Sequence, residues 1–181
     1  PVAKSLDVVC GDVYLIDGQS NAVASDYHGE QLADQEKDTF VRSFGSSVNN
    51  VNVASDADFG IAVAQAKYSH GAVGQWGLHL GKVIMETQQI PVLLINGAVG
   101  GTKVVQHQRN DGNPEDLSTI YGRLLWRVRK AGVDGAVRAI FWHQGESDGG
   151  MLHDTYLGLW SAMYDDWLED YPNVEGIYPF Q

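Results

Sequence analysis

A serine that could act as a nucleophile follows the first apolar stretch of the chain. Residues 12–21 read Asp-Val-Tyr-Leu-Ile-Asp-Gly-Gln-Ser-Asn, and the apolar run 13–16 has the length and the β-branched or aromatic content of a buried strand. A glycine turn after such a strand would expose Ser20 at the sheet edge where open α/β sheets bind their ligands. The alternative is that Ser20 only caps a following helix. Ala22 breaks the Gly-x-Ser-x-Gly pattern, which disfavours the α/β-hydrolase arrangement.

A serine hydroxyl is a weak nucleophile, so it needs a base and also donors for the oxyanion that develops. The segment 97–102, Gly-Ala-Val-Gly-Gly-Thr, follows a second apolar run and contains two adjacent glycines. Adjacent glycines expose backbone N–H groups, so we expect the Gly101 N–H, or that of Gly100, to be an oxyanion donor. A turn used only for tight strand–helix packing is the alternative, and the segment matches neither nucleotide-binding glycine motif.

A third polar segment, 143–148, reads His-Gln-Gly-Glu-Ser-Asp and follows another apolar run. The Gln144 amide could donate to an oxyanion, and the Glu146 carboxylate could orient a histidine. A zinc site at His143 and Glu146 is disfavoured, because the pair lacks the His-Glu-x-x-His spacing and has no convincing third ligand. The simplest alternative for His143 is a hydrogen-bonded histidine of the core.

Apolar patterns predict the elements that position these segments. Helical periodicity is clearest over 117–130, where apolar side chains recur at i, i+3, i+4, i+7, i+8 and i+11. Strands are predicted at 13–16, 91–96, 136–142 and 174–180, and helices at 74–88, 117–130 and 155–170. The polar segment 22–52 is predicted as a loop that could include a short helix or hairpin. Alternating strands and helices imply right-handed βαβ units, with a parallel sheet covered on both faces. In such a sheet the three polar segments meet at one edge.

Composition narrows the class of partner. The chain has 181 residues and a formal net charge of −11, which argues against nucleic acid because phosphate binding needs a basic surface. We expect instead a neutral or weakly charged small molecule, such as a sugar derivative. The single cysteine, Cys10, excludes a disulfide within the chain. No apolar run approaches the roughly 20 residues that span a bilayer, so no membrane association is expected.

Three blocks, each after a predicted strand, carry a family resemblance: Gly-Gln-Ser-Asn at 18–21, Gly-Gly-Thr at 100–102 and Trp-His-Gln-Gly-Glu-Ser at 142–147. From about residue 12 onward the chain resembles the SGNH hydrolase superfamily, in its carbohydrate acetylesterase branch of sialate O-acetylesterases and family-six acetylxylan esterases. The resemblance implies an α/β fold, a flavodoxin-like three-layer α/β/α sandwich with a central parallel sheet. It also implies a serine esterase that removes O-acetyl groups from small or polymeric carbohydrates without metal or cofactor.

The resemblance also assigns roles to individual positions. Ser20 is the expected nucleophile, and its own N–H, the Gly101 N–H and the Gln144 side chain form the expected oxyanion hole. Glu146 matches a position that can support the catalytic histidine. Supporting positions around the site are expected at Gln19, Asn21, Gly100, His143 and Asp148.

The chain departs from this family in its base. Family members take the catalytic histidine from an Asp-x-x-His block near the C-terminus, and none of the six histidines here stands in such a block. We therefore expect a single hydrolase domain over 1–181 that lacks its C-terminal part. The alternatives are a carbohydrate-binding or scaffolding relative without a complete triad, and an unusual base at His143 or His153. A secreted or periplasmic location is expected by association with carbohydrate-active enzymes.

Overall fold

A six-stranded sheet with helices on both faces organises residues 8–25, 33–46, 57–64 and 68–180, which the computed structural model describes. The strands are β1 (Asp12–Gly18), β2 (Val41–Phe44), β3 (Phe59–Ile61), β4 (Val92–Asn96), β5 (Val137–His143) and β6 (Gly176–Phe180). The helices are α1 (Ser20–Val23), α2 (Gln75–Gln88), α3 (Ile120–Ala131) and α4 (His153–Asp170). Short 3₁₀ helices lie at Ala33–Glu36, Val104–His107, Asp134–Ala136 and Glu146–Asp148.

The strand order is β3-β2-β4-β1-β5-β6, and each neighbouring pair is parallel except β2 with β3. When the edge strands β2 and β3 are left out, the order β4-β1-β5-β6 remains. In chain order these are the second, first, third and fourth strands, which is the order of flavodoxin-like sheets. The strand order changes direction at β1, which lies between β4 and β5, so its carboxyl end is a switch point where such sheets bind ligands. The predicted α/β fold with a central parallel sheet is confirmed.

The helices bury their apolar sides against the two faces of the sheet. α3 and α4 cover one face, where Leu125, Trp142 and Trp167 are buried in the core. α1 and α2 cover the other face, where Ile16 and Leu78 are buried. Successive β1 side chains point to opposite faces, so a strand covered on both sides must be apolar along its length. Each large apolar side chain buried in this way contributes about 1.5–3 kcal/mol.

Local signals set the boundaries of α3. The Thr119 Oγ1 accepts the Gly122 N–H at 2.9 Å as the N-cap, and Gly132 ends the helix in the left-handed conformation. The predicted start at residue 117 is too early, because the Asp116 carboxylate accepts the Ser118 N–H at 2.9 Å and stabilises a turn before the cap. The other predicted helices and strands agree with the observed bounds to within two residues.

The segment 22–52, predicted as a loop that could include a short helix or hairpin, contains the short 3₁₀ helix Ala33–Glu36 and also β2, a strand that pairs with β4 and was not predicted. The β2 sequence, Val-Arg-Ser-Phe, lacks the continuous apolar run that identifies the other parallel strands. Residues 26–32 and 47–52 of the predicted loop lie outside the described residues. Among the helices of the described ranges, none is long and apolar enough to cross a membrane.

Candidate active site

The turn that carries Ser20 is fixed to both neighbouring strands. Gly18 has a φ of +134°, a conformation that residues with a side chain rarely adopt. A Cβ built at Gly18 would lie 2.1 Å from the His143 carbonyl oxygen. The Gln19 N–H donates to that oxygen at 3.0 Å, and the Val99 N–H donates to the Gly18 carbonyl at 3.0 Å. The serine turn is therefore held between the turns that follow β4 and β5.

Ser20 is half-buried and is the first residue of α1. Within the described residues its Oγ makes no hydrogen bond and its backbone N–H has no acceptor. The N–H of Gly101 also has no acceptor there, and Gly101 is exposed with a φ of +77°. Both N–H groups can therefore donate to an oxyanion, as backbone N–H groups are strong donors.

The glycine turn comes close to Ser20 at Gly100. A Cβ built at Gly100 would lie 3.9 Å from the Ser20 Cβ, so the absence of a side chain leaves room beside the serine. The Gly100 N–H donates to the Tyr68 hydroxyl at 3.1 Å. Gly100 is thus the less suitable of the two predicted glycine donors, and Tyr68 is a neighbour of the site that no sequence motif marks.

The Gln144 side chain is buried and joins the three turns. Its amide nitrogen contacts the Gln19 Oε1 and the Thr102 carbonyl oxygen, both at 3.2 Å, and also the Asp148 carboxylate. Its amide oxygen accepts from the Tyr156 hydroxyl at 2.9 Å. Three acceptors therefore share the two protons of the amide nitrogen. Gln144 can donate to an oxyanion only if one of these acceptors is released.

Tyr156 and the three acceptors favour one orientation of the Gln144 amide. Burial raises the pKa of the Tyr156 phenol, so the hydroxyl keeps its proton and can donate it to the amide oxygen at 2.9 Å or to the Gln144 backbone carbonyl at 3.4 Å. The Trp142 indole N–H approaches the same hydroxyl oxygen at 3.4 Å. An inverted amide would place its oxygen against the Gln19 Oε1, the Thr102 carbonyl oxygen and the Asp148 carboxylate, which are all acceptors, and this would be unfavourable.

Gln19 and Asp148, two further predicted positions, form hydrogen bonds that stabilise the turns. The Gln19 Oε1 accepts the Ser147 N–H at 3.1 Å, in addition to its contact with Gln144. The Asp148 Oδ2 accepts the Val104 N–H at 2.9 Å. Because both side chains are buried, these hydrogen bonds link the turn after β5 to the other two turns in a low-dielectric environment.

The Glu146 carboxylate lies between Asn21 and His143. The Asn21 amide donates to the Glu146 Oε1, and the His143 Nε2 is 3.6 Å from the same oxygen. The Asn21 carbonyl accepts from the Trp76 indole at 2.7 Å, which connects α1 to α2. His143 is not the core histidine of the simplest alternative, because 27% of its side chain is accessible and its ring lies beside Phe180.

No histidine in the described ranges hydrogen-bonds to Ser20. His153 is exposed and pairs with Asp154 at 3.1 Å, while His143 contacts Glu146. Neither histidine therefore has the contact that an unusual base would need. Residue 28 is also a histidine, and it lies outside the described residues. In the described ranges no group of three or more His, Cys, Asp or Glu side chains could hold a metal ion.

A buried row of polar side chains that the sequence motifs did not identify lies behind the serine turn. Asp17 and His107 are completely buried, and His107 contacts the buried Thr102. An acidic residue inside an apolar strand is a local signal that could have drawn attention to Asp17. No comparable signal exists for His107, since only the fold brings the Val104–His107 3₁₀ helix behind β1.

A groove of about 580 Å³ opens beside the carboxyl ends of β5 and β6. Gln144 and Glu146 line it together with the aromatic side chains of Tyr156, Trp160 and Phe180. A concave surface that combines aromatic groups with a few polar ones is typical of sites for small molecules.

These observations define the class of protein: an SGNH-type hydrolase fold with a serine at the end of its first strand. The family model described as "Carbohydrate esterase, sialic acid-specific acetylesterase" matches residues 10–171. The chain belongs to this family of carbohydrate esterases.

Individual relatives are distant in sequence. The sialate O-acetylesterase of Mus musculus is 22% identical, and the match covers 91% of this chain and 40% of the relative. A carbohydrate acetylesterase from Xanthomonas citri has a similar structure, with a TM-score of 0.63, 18% identity and coverage of 90% of this chain and 39% of that one. A protein from Arabidopsis thaliana has a TM-score of 0.65, with 17% identity and coverage of 93% and 73%. The chain thus spans less than half of the mouse and Xanthomonas relatives.

Proposed function

We propose that this chain carries the nucleophile and the oxyanion donors of an esterase that removes O-acetyl groups from carbohydrates. One observation carries the proposal: Ser20 and Gly101 lie on turns that meet at one sheet edge, and within the described residues their N–H groups have no acceptor. A serine hydroxyl beside available N–H donors is the arrangement that acyl transfer requires. Membership of a carbohydrate esterase family supports the choice of substrate.

In the proposed reaction the Ser20 Oγ attacks the acetyl carbonyl carbon and gives its proton to a base. The carbonyl oxygen becomes an oxyanion, which accepts hydrogen bonds from the Ser20 and Gly101 N–H groups. The ester C–O bond then breaks, and the sugar oxygen leaves with the proton from the base. Water attacks the acetyl-serine in the same way, so that acetate departs and the Oγ recovers its proton. Each oxyanion donor contributes on the order of 3 kcal/mol.

Gln144 and Glu146 have supporting roles in this proposal. Gln144 becomes a third oxyanion donor when its amide releases the Gln19 or the Thr102 acceptor. Glu146 orients the histidine base, because its carboxylate is partly accessible and is held in place by Asn21. A fixed carboxylate that orients an imidazole is the arrangement of serine triads in general.

The base itself is proposed to come from a segment outside the 181 residues. The printed sequence contains no Asp-x-x-His block, and no histidine of the described ranges contacts the Ser20 hydroxyl. We also keep the prediction that these residues belong to a single hydrolase domain with a further C-terminal part. A secreted or periplasmic location also stays a prediction, which fractionation of the producing cells would test.

The proposal is tested with the protein as its gene encodes it, assayed for acetate release from O-acetylated sialic acid and from acetylated xylan. We expect Ser20→Ala to lower kcat by roughly 10⁴-fold or more. The matched control is Ser161→Ala on the exposed side of α4, which should leave kcat unchanged. Retained acetate release in Ser20→Ala contradicts the nucleophile, and a wild-type protein that binds these sugars without releasing acetate favours the non-catalytic relative.

A further inference from the structure

Asp17, His107 and Thr102 form a row of buried polar side chains behind the candidate oxyanion site. Asp17 and His107 have no exposed surface, and Thr102 is buried as well. The His107 Nε2 lies 2.8 Å from the Thr102 Oγ1, and its Nδ1 lies 3.4 Å from the Asp17 Oδ1. Burying such polar groups is unfavourable unless they satisfy one another. Within the described residues the Asp17 Oδ2 and the His107 Nδ1 nevertheless have no hydrogen-bond partner, so the fold maintains this row at a cost in stability.

The hydrogen-bonding capacity of Thr102 fixes the role of His107. A threonine hydroxyl has one proton, and here it donates to the Val99 carbonyl at 2.7 Å. The hydroxyl oxygen must then accept from His107, so the Nε2 of His107 carries a proton. The Nδ1 has no hydrogen bond within the described residues, and 3.4 Å is longer than an ordinary N–H···O contact. The Nδ1 therefore faces the Asp17 carboxylate without a hydrogen bond.

Each end of this row is bonded to one of the two catalytic turns. The Asp17 Oδ1 accepts the Gly18 N–H at 2.7 Å, and Gly18 begins the turn of Ser20. At the other end, Thr102 follows Gly101 directly and holds the Val99 carbonyl, which closes the glycine turn. The ring of His107 stands edge-on to the Trp142 ring, with centroids 5.0 Å apart. Trp142 thereby packs against the imidazole.

We propose that His107 is a positioning residue that sets the distance between the two oxyanion donors, Ser20 N–H and Gly101 N–H, because it lies between Asp17 and Thr102 and donates its Nε2 proton to the Thr102 hydroxyl. This inference rests on the proposed esterase function and adds a residue to it. Oxyanion donors act through preorganised geometry, and a displacement of about 1 Å can cost about 10²-fold in rate. His107 touches neither substrate nor reacting atoms in this proposal.

Asp17 also interacts electrostatically with Arg123 and Tyr171. Burial lowers the pKa of the Arg123 guanidinium, and the Asp17 carboxylate opposes that shift. Burial also raises the pKa of the Tyr171 phenol, and Asp170 and Asp17 raise it further. Arg123 therefore still opposes the Asp17 charge in a variant without the imidazole, and such a variant is expected to fold.

The test compares two amide substitutions that each retain one half of the imidazole. The amide nitrogen of His107→Gln reaches the place of Nε2 and keeps the donor to Thr102. The amide nitrogen of His107→Asn reaches only the place of Nδ1 and loses that donor. We expect His107→Asn to lower kcat for acetate release by about tenfold or more with KM changed less than twofold, while His107→Gln stays within about threefold of wild type. Thr102→Val should behave like His107→Asn, and Thr102→Ser should restore the rate.

A second measurement does not depend on activity. In two-dimensional NMR spectra, His107→Asn should shift the amide resonances of Gly100 and Gly101, while His107→Gln and the exposed control His79→Asn should leave them in place. Equal kcat in the two His107 variants, an effect on KM alone, or unchanged Gly100 and Gly101 resonances in His107→Asn would overturn the positioning role. A wild-type protein without esterase activity would refute the proposed function, and the NMR comparison would still decide whether His107 positions the turn.

Discussion

Gly18→Ala is the substitution that most directly disturbs the turn of Ser20. A Cβ at this position would lie 2.1 Å from the His143 carbonyl oxygen, 2.6 Å from its carbonyl carbon and 3.0 Å from its nitrogen. These are backbone atoms of β5, so no side-chain rotation relieves the clash. The φ of +134° adds backbone strain for a residue with a Cβ. Relief of both requires β1 and β5 to separate where Ser20 is held.

The expected loss of stability has two parts. A non-glycine residue in a sparsely populated backbone conformation costs about 1–3 kcal/mol, and an overpacked interior costs typically about 1–3 kcal/mol. The sum, about 2–6 kcal/mol, is large beside the roughly 5–15 kcal/mol by which a domain is stable. Urea unfolding followed by tryptophan fluorescence measures this change in the free energy of unfolding.

The matched control is Gly158→Ala in α4. Gly158 is exposed, and a Cβ built there meets no atom within 4 Å. Because alanine is the better helix former, we expect this substitution to raise the free energy of unfolding by about 0.5–1 kcal/mol. A loss below about 1 kcal/mol in Gly18→Ala, or losses of equal size in both variants, would refute the reasoning about the turn.

Two further predictions follow from the site and the core. Gln144→Ala should lower kcat roughly a hundredfold with little change in KM if the amide donates to the oxyanion, and steady-state kinetics that show a change in KM alone would contradict that role. Burial raises the pKa of Tyr121 and Tyr171, so unfolded phenols lose protons at a lower pH than folded ones do. The free energy of unfolding should therefore be unaffected below pH about 10, the ordinary tyrosine value, and fall as the pH rises further. Urea titrations across that range test this linkage. It is contradicted if the free energy of unfolding does not fall, or if it falls in Tyr121→Phe as much as in the wild-type protein.

The sheet and the three turns could be predicted because their signals are local. β1, β4 and β5 each contain an uninterrupted run of four apolar residues that a polar residue follows, and α3 has a full apolar stripe with a cap at each end. β2 could not be found in this way, because its pairing with β3 and β4 is what makes Val41-Arg-Ser-Phe a strand. Secondary structure set by such distant pairing leaves little trace in the segment itself.

The sequence indicated which motif residues belong to the candidate site, but it did not indicate the contacts that their side chains make. Ser20, Gly101 and Glu146 stand in short motifs whose chemistry is recognisable from residue type. The engagement of Gln144 by Tyr156 depends on α4 packing against the end of β5. Contacts of this kind arise from tertiary packing, so residue spacing cannot reveal them.

The role of Ser20 as nucleophile is tested most directly by trapping the acetyl-enzyme. The protein as its gene encodes it is mixed with an O-acetylated sugar, quenched in acid during turnover and digested for peptide mass analysis. We predict one acetyl group on the peptide that contains Ser20, and none on that peptide in Ser20→Ala. An acetyl group trapped on a different residue, or acetylated enzyme that persists in Ser20→Ala, would contradict the central claim.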